Sequence, residues 1–510
     1  MRRPAIRSTA VPINCTDMEV QRKHCWECAR RCLVCDSTRP ACRRCSQSGT
    51  ECPGYDQKPL RLRWLAPGRV TSQNRRRKQA VRADKAAVEV EERDMSSDLV
   101  LSRFELRTNT CAIFQAVEYF NACIHPDLLP MLDLAPNPEV YPISPAHLRS
   151  VDAVPDHLSL SLVCMTLSHR LHRLRTNPGR HDLVNRLCRY RGDVLRSLNS
   201  EIGSEHHDGR KGNLLLAGIM SFLLADIQIG SSSNWRCHVD GARDLVRLRG
   251  GLRVLQNEKG MGALIHCFVL ATVMGDTTSP ASDLSIACWR PDELNFVVES
   301  YSAEANLCQT CPPPLFVELI RINALRTQAA RQEEGDSYEL AKEAYEILAR
   351  VDSFCLQQWV NSKPSSSKND WLLLGTIHQI AVALYCIRSL QSVSVLPNSG
   401  ALGGSSTMLG ARLHSLLLRA VPSPRTRPSV LWPLVVLGVE AFDGGFAMRG
   451  FVEDSLSEMS YHIGSHAPNV ASAVLKAFWE GDDWRWDACF SRPNIFLART
   501  AVDTSGISAT

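Results

Sequence analysis

One cysteine spacing occurs twice, 17 residues apart, near the start of this 510-residue chain. Cys25, Cys28 and Cys35 form the first C-x2-C-x6-C, and Cys42, Cys45 and Cys52 form the second. Eight of the 20 cysteines fall between Cys15 and Cys52. The rest are scattered singly, except Cys308 and Cys311. The first residues, MRRPAIRSTAVPIN, are charged and carry no apolar core of a secretory signal, so a reducing compartment is expected. There a dense cysteine cluster reads as metal ligands rather than disulfides. A C-x2-C pair aims two thiolates from one turn at the same ion, and the six-residue return brings back a third. Zinc takes four tetrahedral ligands, so six thiolates serve two zinc ions only if two of them bridge. Two dications and six thiolates leave a charge of −2, which Arg30, Arg31, Arg43 and Arg44 offset in part. Three other readings stand beside this one: a disulfide knot, a set of structural thiols, and a four-cysteine site from Cys25, Cys28, Cys32 and Cys35. The last differs from the common ferredoxin spacing and leaves the second repeat without purpose. Cys32 and Cys15 then read as spare thiols.

Charge points the same end of the chain at a polyanion. Residues 1–90 hold 20 Lys+Arg against 8 Asp+Glu, or +12, whereas the remainder holds 38 against 45, or −7. Nucleic acid is the common partner of such an asymmetry. A membrane surface would want an amphipathic stretch, and none is evident. The run Arg75, Arg76, Arg77, Lys78 reads either as a nuclear localisation signal or as solvated linker. Residues 80–94 show no heptad sustained over three repeats, so there is no clear coiled coil and a homodimer stays open.

The organisation follows: a flexible N-terminus over 1–20, the cysteine cluster over 21–55, a basic linker over 56–107, a large helical body over 108–485 and a tail over 486–510. The fold class is mostly α. Ile113, Val117, Phe120 and Ile124 recur at helical spacing, and His125-Pro126 should end that helix. From Arg186 to Ile202, Leu187, Tyr190, Val194, Leu195 and Leu198 share one face. Leu214–Ile229 is apolar nearly all round, and its longest apolar run, Leu214–Ala225, stops at Asp226; it is too short to cross a bilayer and should be central. His238 to Arg249 should turn Val239, Ala242, Leu245, Val246 and Leu248 inward, with Gly250-Gly251 as its stop. Further helices are expected near 313–331, 338–361, 370–392, 406–419, 430–448, 450–463 and 468–480. Ser362–Asn369 and Pro397–Thr407 read as loops.

The stretch CWECARRCLVCDSTRPACRRCSQSGTEC, with Asp36 after the third cysteine and Pro40 before the fourth, resembles the fungal binuclear zinc cluster family of transcription factors. The resemblance implies two zinc ions on Cys25, Cys28, Cys35, Cys42, Cys45 and Cys52, with Cys25 and Cys42 bridging, and a first short helix docked in the major groove of double-stranded DNA. It also implies basic side chains where this chain has Cys32 and Val34, and often one at Ala29. Cys32 cannot read a guanine edge, and Val34 cannot meet a phosphate. Arg30, Arg31, Arg43, Arg44, Arg61, Arg63 and Arg69 remain for phosphate contact. IFQAVEYFNACIHPDLLP, YRGDVLRSLNSEI, NWRCHVDGARDLVRLRGG and WPLVVLGVEA look like the helical regulatory domain of such factors. Within them Trp235 and Trp432 read as core or capping aromatics, and Asp240 with Arg243 as an internal ion pair.

No nucleotide-binding, hydrolase or zinc-protease motif is present, so the chain is not read as an enzyme. His206-His207-Asp208 and the Cys308/Cys311 pair read as loops rather than metal sites. Glu480–Asp487 reads either as a helix end or as an activation patch that folds on a coactivator. The expected function is a zinc-dependent, sequence-specific regulator of RNA polymerase II genes in a fungal nucleus, an activator of a pathway or metabolite gene set. The alternative is a zinc-stabilised scaffold with weakened base readout that works through protein contacts.

Overall fold

A computed structural model describes residues 25, 28, 35–50, 52, 109–134, 140–144, 154–174, 179–203, 209–230, 235–303, 311–331, 337–398 and 401–498. The chain divides into two compact units, 1–94 and 95–510. No strand occurs among the described residues. The first unit contributes one short described helix, α1 (Arg43–Gln47).

The second unit is a helical body. It opens with α2 (Asn109–Tyr119), a π-helical turn (Phe120–Ile124) and α3 (His125–Leu134). Here the helix does not stop at His125-Pro126 as expected. Pro126 has no N–H to offer, and the wide π turn just before it absorbs the missing bond. Asn121 pins that turn, its side chain donating to Ile143 O and accepting from Ile143 N, both at 2.8 Å.

Four helices follow: α4 (Asp156–Arg173), α5 (Arg180–Ile202), α6 (Gly209–Ile229) and α7 (Trp235–Leu248). α4 packs on α2, α5 and α6, and α7 packs on α6. α5 begins six residues earlier than its apolar stripe indicated, and it buries Leu183, Leu187, Tyr190, Val194 and Leu198. α6 is central and buried along almost its whole length. It is long and apolar enough to cross a bilayer, but the body encloses it. Asp226 is tolerated inside because Arg191 grips it with Nε at 2.7 Å and Nη2 at 2.9 Å, with His238 behind. Burial pushes its pKa up, and the hydrogen bonds from Arg191 and His238 with the Arg191 charge more than reverse that, so the carboxyl is held below its ordinary range. In α7 Val239, Ala242, Leu245 and Val246 are buried as expected, whereas Leu248 is 79 % exposed. The chain reverses there through Gly250 and Gly251, both with positive φ, the second donating to Val246 O at 2.9 Å.

The chain continues through α8 (Leu252–Gln256), α9 (Gly262–Thr277), α10 (Pro291–Ala303), α11 (Pro313–Arg331), α12 (Ser337–Asp352), α13 (Leu356–Asn361) and α14 (Lys368–Ser392). α15 (Ala401–Ala420), α16 (Leu431–Glu440), α17 (Gly445–Ile463), α18 (Ala467–Trp479) and α19 (Trp486–Cys489) complete it. α14 is the hub, touching α11, α12, α15, α16 and α19. Residues 401–407, expected as loop, are the first two turns of α15 despite Gly403-Gly404.

The body runs past the boundary expected at 485. Trp486, Phe490, Ile495, Phe496 and Leu497 are all buried. Trp486 donates to Thr277 O at 2.9 Å, and Asp487 accepts from Arg326 at 2.8 Å and from Ala281 N at 2.7 Å. Glu480–Asp487 is therefore the bend after α18 that seats this closing segment, the helix-end reading rather than a free patch.

Candidate metal centre and regulatory body

Five of the six repeat cysteines, Cys25, Cys28, Cys35, Cys42 and Cys45, are buried, and Cys52 is half-buried. None forms a disulfide. Their sulfurs gather into two overlapping sets of four, Cys25/Cys28/Cys35/Cys42 and Cys25/Cys42/Cys45/Cys52, each with all Sγ atoms within 4.8 Å of one another. The two sets share Cys25 and Cys42, whose sulfurs lie 3.6 Å apart. Cys25 to Cys45 and Cys28 to Cys42 are each 3.7 Å. Zn–S bonds of about 2.3 Å in a tetrahedron put its sulfurs about 3.8 Å apart, close to these three distances.

The internal repeat is visible in the backbone. Cys28 N donates to Cys25 Sγ and Cys45 N donates to Cys42 Sγ, each at 3.4 Å. Each C-x2-C turn thus points an amide at the first sulfur of its own pair, which favours a thiolate there. Cys42 also caps α1, and the helix closes at Gly49 (φ 65) with Thr50 N on Cys45 O at 3.0 Å. Asp36 reaches across the loop to accept from Arg43 N at 3.2 Å and from the Thr38 hydroxyl, and these bonds hold its carboxyl below the usual range. It ties the two halves together through the Arg39–Pro40 turn. Burial pushes the Cys25 and Cys28 thiols up and takes Cys45 to about 12. Such thiols keep their protons at neutral pH until a cation displaces them.

Of the residues expected to face DNA, Arg43 and Arg44 are exposed on α1, so two guanidinium groups are free to approach phosphates. Arg30, Arg31, Cys32, Arg61 and Arg63 lie outside the described residues, as do Val34, Arg69, the basic run at 75–78, His206-His207-Asp208 and Cys308.

A model of the fungal Zn(2)-Cys(6) binuclear cluster domain matches residues 23–62, and one of the fungal specific transcription factor domain matches residues 119–498. The chain belongs to the fungal zinc-cluster transcription factors. It is 39 % identical over 492 residues to the phomenoic acid biosynthesis cluster-specific transcriptional regulator of Leptosphaeria maculans, covering 96 % of this chain and 92 % of that one. The arginine metabolism regulation protein II of Saccharomyces cerevisiae is 44 % identical over 43 residues, 8 % of this chain and 4 % of that one. The acriflavine sensitivity control protein of Neurospora crassa is 46 % identical over 50 residues, 10 % of this chain and 8 % of that one. No solved structure matches. The protein is a fungal DNA-binding transcription regulator, not an enzyme, and its cluster domain binds two zinc ions.

In this factor the signature stretches of the body are struts. Arg236 donates to Ser285 Oγ at 2.9 Å, Arg247 to Glu293 at 3.0 and 3.2 Å, and Arg249 to Asn213 at 2.8 Å and Glu258 at 3.1 Å. Asp240 pairs with Arg243 at 2.6 Å. Trp235 packs so tightly on Gly275 that a Cβ there would sit 2.4 Å from the ring. Trp432 is buried and donates to Thr277 Oγ1 at 3.0 Å. Cys311 is buried with its thiol pushed up by burial, which suits a core residue better than a redox pair.

Proposed function

We propose that Cys25, Cys28, Cys35, Cys42, Cys45 and Cys52 hold the two zinc ions, with Cys25 and Cys42 bridging. On that platform the protein acts in the nucleus as a sequence-specific activator of a biosynthetic gene set. The observation that carries this reading is the pair of four-sulfur sets sharing Cys25 and Cys42. The zinc pair would neutralise most of the thiolate charge and cross-link a unit too small to bury a core of its own. Arg43 and Arg44, with Arg30, Arg31, Arg61 and Arg63, supply phosphate contacts, and Cys32 stands at a position the family resemblance assigns to DNA contact. The name of the Leptosphaeria maculans relative supports a biosynthetic gene cluster as the target. Coactivators and a second copy of the chain are the further partners this role would use.

The test is a zinc assay and a DNA-binding assay on the full chain. Two zinc ions per chain and salt-sensitive binding to one duplex sequence support the reading; one ion or none sinks it. A second reading rests on Cys32 and Val34, which place no cation where the family resemblance implies one. It makes the protein a zinc-stabilised scaffold acting through protein contacts. Cys32→Lys combined with Val34→Lys separates the two: if the native chain already binds a specific site as tightly as this variant, the scaffold reading loses its motive.

A further inference from the structure

Inside the second unit lies a cleft of about 360 Å³. It opens among α3, α9, α11, α14, α16 and α17 and is closed on one side by Phe496, Leu497 and Ala498. Its volume falls within the range of small-molecule sites, and its wall is mostly apolar, with Leu270, Met274, Phe316, Leu319 and Leu431 along it.

The polar groups in this wall are few and unusual. Arg427 is 8 % exposed. Its Nε and Nη2 donate to the backbone oxygens of Val421 and Pro422, at 2.8 and 3.0 Å. No described carboxylate pairs with it, whereas other buried arginines of the body, Arg326 among them, meet an acid. Burial lowers its pKa, with only Glu458 acting against that from a distance. Two residues on, Ser429 Oγ is buried without a hydrogen-bond partner. His378 donates from Nδ1 to Leu374 O at 2.9 Å, and burial takes its pKa down to about 4, so it contributes a neutral ring with Nε2 as acceptor. Asp127 also lines the cleft, but Arg173 holds both its oxygens, at 2.7 and 2.9 Å. His462 is engaged by Glu458 at 3.3 Å. The Trp432 N–H is spent on Thr277. What remains beside the apolar wall is the Nη1 end of the Arg427 guanidinium, whose Nε and Nη2 already serve backbone oxygens, the Ser429 hydroxyl and the neutral His378 Nε2.

A buried cation without an anion and a buried hydroxyl without a partner are both costly, and an anionic ligand would relieve both. We propose that this cleft is an effector site for a small apolar carboxylic acid, its carboxylate on Arg427 and Ser429 and its hydrocarbon along the wall. Because Phe496–Ala498 and α17 share the cleft, occupancy would tie the closing segment to the body.

Decanoate and decanol are the probes, with the full-length native chain, read by calorimetry and by the thermal midpoint. Decanoate should bind once per chain and raise the midpoint with concentration. Decanol, which keeps the chain and loses the charge, should bind at least about tenfold more weakly. Ser429→Ala removes a hydroxyl that bonds nothing, so the ligand-free midpoint should hold or rise while decanoate affinity falls. Arg427→Gln should bring decanoate down to the level of decanol. No saturable decanoate binding overturns the proposal. So does equal binding of acid and alcohol, or an acid affinity that neither variant changes. DNA is absent from the assay, so this result is separable from the DNA-binding reading.

Discussion

Trp484 and Trp486 stand two residues apart in a run of acids and tryptophans, and the structure assigns them opposite weights. Trp486 is fully buried, donates to Thr277 O at 2.9 Å, and meets the rings of Tyr385 and Phe490, each with centroids 5.0 Å away. Truncating such a side chain costs about 3–5 kcal/mol through lost burial and the cavity left behind. Thr277 O would also lose its donor, so Trp486→Ala should sit at or above the middle of that range. Trp484 is half-buried and lies under the Arg388 guanidinium at 5.8 Å from its centroid, an interaction worth about 0.5–1 kcal/mol near a surface. Urea unfolding of the full chain, followed by far-ultraviolet circular dichroism, should therefore separate the two alanine variants by at least about 2 kcal/mol. If Trp486→Ala unfolds within about 1 kcal/mol of the native chain, the closing segment is not a core element of the body. An activation patch would give a different pattern: both variants stable, and both weakened in transcription.

Asp487→Ala should be nearly as damaging, because it strands the fully buried Arg326; a loss of about 3–5 kcal/mol is expected in the same unfolding assay. In the cluster, Cys42→Ser removes a sulfur common to both sets and should empty both sites, whereas Cys28→Ser touches one set and should leave at least one zinc by metal analysis. Metal-free thiols here sit above their ordinary range, so protons compete with the metal: zinc affinity should rise with pH, and calorimetry in buffers of different ionisation enthalpy should show proton release on loading. Arg43→Glu with Arg44→Glu should weaken DNA binding across sequences and flatten the salt dependence by about 0.9 for each phosphate that is no longer neutralised, measured by titration at several salt concentrations. Asp226 carries a depressed pKa, so its pair with Arg191 contributes stability above the ordinary carboxyl value of 3.8 that fades as pH falls below it; Arg191→Ala should remove that acid-side slope from the stability profile.

The cluster was legible because metal ligation is local. A C-x2-C turn places two sulfurs by its own geometry, and a second copy 17 residues on repeats the instruction. Helix positions were legible for a similar reason, since an apolar stripe such as Leu187, Tyr190, Val194 and Leu198 is written within one helix. Where expectation and structure differ, the deciding partner is remote or the turn chemistry competes. Pro126 looks like a stop until the π turn at Phe120–Ile124 supplies an alternative bonding pattern. Leu248 follows the inward period of α7, but the Gly250-Gly251 reversal leaves the last turn facing water. Glu480–Asp487 reads as polar surface because neither Arg326, 161 residues earlier, nor Thr277, 209 residues before Trp486, is visible from within it. Arg427 is the same case inverted: a cation between prolines looks like loop surface, and only the folded body shows it buried without an acid. Charges whose partners are distant in sequence are thus hard to place from sequence, and in this regulator they hold the body's closing segment and line its cleft. Regulation, if it works through that body, would depend on residues that no local pattern marks, while zinc binding depends on residues that a local pattern marks fully.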